Sequence, residues 1–490
     1  MSHAARPRAS RPVCPDERPG EPVVLNDVHS QLNRTAVSRV VQVRSLAELQ
    51  ETVRAARDRG ETLSVAGGRH AMGGQQFGSG SVHLDTSALR RVLAFDREAG
   101  LVEVEAGIHW DALVRWTLAH QPEPATWGIA QKQTGANRIS VGGSIAANAH
   151  GRGLTRPPLV ADLESFTLVD AKGEVRTCSR TRNAELFRLV AGGYGLFGVV
   201  HAVTLRLARR VRLERVVEVR DADGLSEAFA ARIRAGYLFG DFQFDVDAAA
   251  PTFLRRGVFS CYRPAERAPG PAPAARELAA GDLVDLLHLA HVDKRAAFER
   301  YAAYYLSTSG QLYWSDTHQL AAYPDGYHDE LTRRLGGSTP GTEMITELYV
   351  PRRALGSFLE DAATALREAN ADVIYGTIRL VERDGETVLA WAREPWACVV
   401  LNLHVAHSPP GLAHARRAFR ALIDVARARG GSYYLTYHRW ATREQLLACH
   451  PRFPEILAAK RRYDPEERFQ SDWYRAHRDL VGGDEEEDGR

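Results

Sequence analysis

The chain has 490 residues, 44% hydrophobic and 25% charged, with a formal net charge of +2. That balance suits a globular protein long enough for more than one domain, and it excludes a broad polybasic surface for nucleic acid. No run of about 18 apolar residues could cross a membrane.

The first residues, MSHAARPRASRPVCPDERPG, lack an apolar h-region. They read as a disordered arm over 1–37 rather than a secretory signal. The five cysteines, Cys14, Cys178, Cys261, Cys398 and Cys449, are widely scattered. None forms CxxC or another metal spacing, so no metal site is expected, and the odd count fits a reducing, cytoplasmic location.

VVQVRS (40–45) predicts a strand. Ser45 and Glu48 then form a capping box that opens a helix, closed by Gly60. TLSVAGG predicts a second strand that runs into the loop GGRHAMGG, and SVHLDTSAL and LVEVEAG predict further strands. After a small-residue run at 133–151, LESFTLVDAKGEVRTCS predicts a hairpin around Asp170–Gly173. ELFRLVAGGYGLFGVVHAVTLRLARRV reads as helix, glycine-rich turn and strand. A Pro/Ala-rich connector at 268–281 introduces a second set of elements. MITELYVP, VIYGTIRLVERDG and CVVLNLHVAH predict strands, LGSFLEDAATALREAN and AHARRAFRALIDVARARGG predict helices, and SYYLTYHRWA follows. The acidic tail GGDEEEDGR has no core-forming residue.

Glycine-rich turns that leave a strand let backbone N–H groups approach a pyrophosphate where a Cβ would collide. Here the loop is not GxGxxG opening a long helix, which disfavours a nicotinamide fold. Three such loops in one domain, the first holding His70, point to a bound nucleotide cofactor. GGRHAMGG, ISVGGSIAANAHGRG and LVAGGYGLFGVV, with KRRYDPEERFQSDWYR near the end, resemble the FAD-binding domain of the vanillyl-alcohol oxidase superfamily (PCMH type). The second half more loosely resembles the sugar-alcohol and aldonolactone oxidase branch. The second loop is similar to that of decaprenylphosphoryl ribose oxidases, which lack a histidine at the position of His70.

The resemblance implies an α+β chain with a two-subdomain FAD-binding domain over 38–210. A substrate domain over 211–460, with an antiparallel sheet covered by helices, would follow. A C-terminal segment at 461–480 would return to the FAD domain, ahead of a disordered tail at 481–490. It implies FAD held by Ala66, Gly67, Gly68, Arg69, His70, Ala71, Met72, Gly73, Gly135, Ser140, Gly142, Gly143, Ser144, Ala147, Asn148, His150, Gly198, Val199, Val200 and Tyr434. His70 would carry a covalent bond to the flavin, with a structural role for His150. The region EPATWGIAQKQTG has no cysteine for a second attachment.

Oxidising an alcohol carbon needs a base for the hydroxyl proton and a cation for developing alkoxide. Glu347 in TELYVP matches the branch, and Arg379 matches the arginine of its Glu-x-Arg strand, where Thr377 replaces the glutamate. Tyr437 stands where relatives carry an active-site lysine, with His438 beside it. The expected catalytic set is therefore Arg379, Tyr437, Glu347 and His438. His404 and His407 read as core or rim residues. The ordinary alternatives are strand packing for the tyrosines and a surface ion pair for Arg379 with Glu382 or Asp384.

These readings favour oxidation of a CH–OH group on a small alcohol, polyol, sugar or lactone, with dioxygen as acceptor. A dehydrogenase with a quinone or protein acceptor, a C–N oxidase, and a flavin-binding protein without turnover stay open.

Overall fold

The computed structural model describes residues 22–133, 135, 137–265, 278–321, 326–337 and 339–483. The first 21 residues of the expected arm, most of the Pro/Ala connector and the last seven residues of the tail lie outside them.

Three parallel strands begin the first domain: Arg39–Gln42, Val82–Asp85 and Leu63–Ala66, in that spatial order. The crossover between the first and the last of these is the helix Leu46–Asp58, whose buried stripe of Leu49, Val53 and Ala56 packs on the strands. Ser45 Oγ accepts from Glu48 N as the sequence predicts. Glu48 itself reaches back to Arg44 N rather than Ser45 N, so the box is closed one residue early. A second layer is antiparallel, in the order Val175–Ser179, Leu163–Val169, Val199–Arg206, Leu101–Glu105 and Val92–Asp96. The chain is thus α+β, with a parallel and an antiparallel unit flanking the glycine-rich loops.

Residues 22–37 are not a disordered arm. Val23–Leu25 pairs antiparallel with Thr35–Val37. The turn between them is held by the Asp27 carboxylate, which accepts from Ser30 N and from the Ser30 hydroxyl. Asn33 ties it to the first glycine loop by donating to Met72 O at 2.6 Å. Similarly, the helix Asp472–Gly482 runs into the expected tail.

Among the described residues the second domain carries one antiparallel sheet of eight strands. Its order is Leu312–Trp314, Arg212–Asp221, Arg256–Pro264, Phe239–Phe244, Val373–Val381, Trp396–Ala406, Gly341–Pro351 and Ser432–Tyr433. Alternation along its strands sorts the side chains onto two faces. Leu348, Val350, Ile378, Leu380, Val399 and Leu401 join one core with Phe358 of the helix Leu355–Glu368 and Phe419 of Pro409–Arg427. The opposite face is polar and looks toward the first domain. Register places Tyr349, Cys398 and Arg379 in one row there, Glu347, Val400 and Thr377 in the next, and Ile345, Asn402 and Tyr375 in a third.

SYYLTYHRWA does not form a full strand. Only Ser432–Tyr433 pairs, and Tyr434 N turns back to Glu347 O at 2.9 Å. The chain then leaves the sheet, which frees Tyr434 and Tyr437 from strand alternation.

Candidate active site

A cavity of about 580 Å³ runs between the glycine loops and the polar sheet face. The first loop follows the strand Leu63–Ala66, and the second opens the short helix Val141–Ala147, where Ser140 Oγ caps Gly143 N. The two loops touch. A Cβ on Gly67 would come within 2.3 Å of Ser140 Oγ, and one on Gly68 within 2.4 Å of Arg138 O. Glycine is required here so that both loops can line one slot.

Seventeen of the twenty residues expected at the cofactor line the cavity, from Ala66 through Met72 in the first loop to Gly198–Val200 and Tyr434. Gly73, Asn148 and His150 do not. Gly73 N is engaged by Thr436 O. Asn148 bridges the domains instead, donating to Asp384 Oδ2 and accepting from Val160 N. His150 reaches across to the sheet and binds Glu347 Oε1 through Nε2. At the head of the first loop, His70 Nδ1 lies 2.7 Å from His29 Nε2, a partner 41 residues away that no local pattern marks.

Of the expected catalytic residues, Tyr437 lines the cavity, and Gln133 Nε2 donates to its hydroxyl at 3.2 Å. Glu347 sits behind it, buried, and its Oε1 also accepts from Cys398 Sγ at 2.8 Å and Tyr349 OH at 3.3 Å. Burial pushes the Glu347 carboxyl up. The charge and hydrogen bond of His150, then Cys398 and Arg379, outweigh it and hold it at about 2. Burial, reinforced by Glu347, drives the Tyr437 phenol well above its ordinary range. Tyr437 therefore stays protonated and Glu347 ionised at neutral pH.

Arg379 is 8% exposed, and its guanidinium makes no hydrogen bond among the described residues; its Nε is buried without a partner. The surface pair with Glu382 or Asp384 does not form: Glu382 binds Arg352, and Asp384 binds Asn148 and Thr387. A buried cation balanced only at a distance by Glu347, and with no hydrogen-bond partner, is costly unless a ligand oxygen completes it.

His438 stands apart from this group. It is packed among Phe419, Tyr433 and Trp440, with Trp440 N donating to its Nδ1. Burial and then His477 push it down to about 3, leaving a neutral ring on the helix-covered side. The break after Tyr433 carries it there.

Residues 37–179 match the family described as FAD binding domain. Residues 37–179 thus form an FAD-binding domain of the PCMH type. An uncharacterized oxidoreductase, ORF5 in the fasciation locus of Rhodococcoides fascians, is 34% identical over 34% of this chain and 37% of its own length. L-gulonolactone oxidase of Mus musculus is 30% identical over 35% of the chain and 38% of its own length. Cytokinin dehydrogenase 4 of Oryza sativa subsp. japonica is 22% identical, over 82% of this chain and 78% of its own length. The chain thus spans little more than a third of two of these relatives.

The slot of this flavoprotein fits FAD. Gln75 and Gln76 line it, and each has its amide oxygen buried without a partner, as a long ligand rich in donors requires. No helix among the described residues is long and apolar enough to cross a membrane. The sequence reading missed Lys132. It is 1% exposed and donates through Nζ to Gln133 O at 2.7 Å. Burial, then the charges of Arg152 and Arg379, lower its ammonium to about 7. Only its position immediately before the small-residue run at 133–151 could have drawn attention to it.

Proposed function

We propose that this flavoprotein oxidises a CH–OH group of a small molecule. Bound FAD, attached through His70, supplies the hydride acceptor. The buried guanidinium of Arg379, which lacks a hydrogen-bond partner among the described residues, carries the reading. It receives the substrate oxygen and stabilises the alkoxide left as the hydroxyl proton departs to solvent in the cavity, while the hydride of the same carbon is the group given up to the flavin. Tyr437, held protonated, donates a hydrogen bond from the cavity wall. Glu347, at about 2, is too weak a base to take the hydroxyl proton near neutrality. Its part is to fix Tyr437, Cys398 and His150 in place. Dioxygen is the acceptor in this reading, consistent with the small residues Gly142 and Gly143 on the cavity wall.

A second reading is a dehydrogenase with another acceptor. It is favoured by the extent of one similarity: the match to the rice protein named a dehydrogenase runs over 82% of the chain, and the match to the mouse protein named an oxidase over 35%.

The test mixes the holoprotein anaerobically with a panel of alcohols, polyols, lactones and amines and follows flavin bleaching. Air is then admitted and hydrogen peroxide is measured. Bleaching by an alcohol with stoichiometric peroxide supports the first reading. Bleaching with slow reoxidation supports the second, and bleaching by amines alone overturns CH–OH oxidation.

A further inference from the structure

At the far end of the cavity Glu343 is buried, and four side chains converge on its carboxylate. Oε1 lies 3.2 Å from His291 Nε2 and 3.3 Å from His404 Nδ1. Oε2 accepts from Tyr327 OH at 2.6 Å and lies 3.2 Å from His328 Nδ1. The imidazole of His328 is 4% exposed, yet neither of its nitrogens has an aligned hydrogen-bond partner. An orphaned buried imidazole is destabilising unless something completes it.

We propose that His291, His328, Glu343 and His404 form a binding site for a divalent transition ion of the zinc class. Neutral imidazole and carboxylate are the ligand types such an ion selects. The atoms His291 Nε2, Glu343 Oε1 and His404 Nδ1 all lie within 4.8 Å of one another. Tetrahedral ligands at about 2.0–2.1 Å from zinc stand roughly 3.3–3.5 Å apart, and the two separations at Oε1 are within about 0.3 Å of that. His328, whose Nδ1 faces Oε2 at 3.2 Å, stands just outside that trio and would turn in to complete the shell. Outer partners are also present: Tyr327 orients the carboxylate, and Asp372 Oδ2 lies 3.8 Å from His291 Nδ1. Metal-bound histidines are commonly set by such carboxylates.

The contrasting cluster, His150, Glu347 and Cys398, is closed. Both its imidazole and its thiol bond the carboxylate, and, unlike His328 beside Glu343, no ring there is left without a hydrogen-bond partner. No metal-ligand spacing is visible in the sequence because the four residues are far apart along the chain. They come from the helices Ala280–Val292 and Tyr327–Arg334 and the strands Gly341–Pro351 and Trp396–Ala406. The ion would pin both helices to the sheet at the cavity's end.

The experiment uses the flavin-loaded protein without a polyhistidine tag, treated with a chelator, given zinc alone and dialysed. Retention of one zinc per chain is expected, with an X-ray absorption first shell of three nitrogens and carboxylate oxygen at about 2.0–2.1 Å. His328→Ala and His404→Ala should each weaken binding by more than the roughly 10–100-fold lost with an outer partner. An unchanged flavin spectrum reports that each variant has folded. Zinc lost on dialysis of the unsubstituted protein overturns the site. So does zinc retained equally by both variants, which marks adventitious binding elsewhere.

Discussion

His29 Nε2 and His70 Nδ1 lie 2.7 Å apart where the N-terminal hairpin meets the first glycine loop. The pair ties residues before the first domain to the side chain proposed to hold the flavin. His70→Ala is expected to release all yellow colour into the supernatant on acid precipitation, while the native protein keeps it in the pellet. His29→Ala should bind FAD but attach it more slowly or incompletely, measured as the fraction of colour left in the pellet. A yellow pellet from His70→Ala would remove the covalent attachment from this residue.

Arg379 is the group on which the proposed chemistry depends. Arg379→Met should lower kcat/KM by about 10²–10³-fold, the scale of losing one preorganised charge donor, with the flavin content unchanged. Arg379→Lys should recover part of the loss. His438→Phe, on the far side of the sheet, should leave kcat/KM within a few-fold and act on thermal stability alone.

Lys132 gives a stability that depends on pH. Its ammonium is lowered to about 7 in the fold from an ordinary 10.5. Below about pH 7 the folded protein carries the full cost of a buried charge. Between about 7 and 10.5 unfolding takes up a proton, so that cost fades as pH rises. Lys132→Met should therefore raise the melting temperature most at pH 7 and below, with the gain shrinking to nothing near pH 10.5.

Glu347 works in the other direction. A carboxyl held at about 2 against an ordinary 4.5 stabilises the fold fully above pH 4.5, and that contribution disappears as pH falls toward 2. Denaturation curves of Glu347→Gln should be less stable than the native protein at pH 6. The difference should narrow steadily below pH 4.5. A constant difference down to pH 2 would mean that the carboxylate's partners do not hold it ionised.

The first domain was readable from local signals. Ser45, the periodicity of the helix after it and the turn at Asp170–Gly173 act over a few residues, so their structures follow from sequence. The glycine loops were also readable, because close approach leaves a compositional mark. The partners of the site were not. His29 with His70, and Cys398 and His150 with Glu347, join residues 41 to 197 positions apart, and only register and domain packing bring them together. SYYLTYHRWA was misleading for a related reason. Its β-branched and aromatic content suits a strand, but Tyr434 OH binds Ala147 O at 2.7 Å and draws the backbone off the sheet.

The strand that leads into the first glycine loop is completed from the far end of the chain. Leu63 N bonds Arg468 O at 2.7 Å, Gln470 N bonds Leu63 O at 2.8 Å, and Asp472 receives both the amide and the hydroxyl of Ser79. Lys460 and Asp464, paired in the core, hold that returning segment against Leu196 O. During synthesis, roughly four hundred residues must therefore follow Leu63 out of the ribosome before its neighbour arrives. At about 5–20 residues per second, the nascent first domain waits some 20 to 80 seconds with that edge open. A ribosome stalled short of residue 470 therefore yields a chain with every residue that lines the slot but with the edge of the strand feeding it still unpaired.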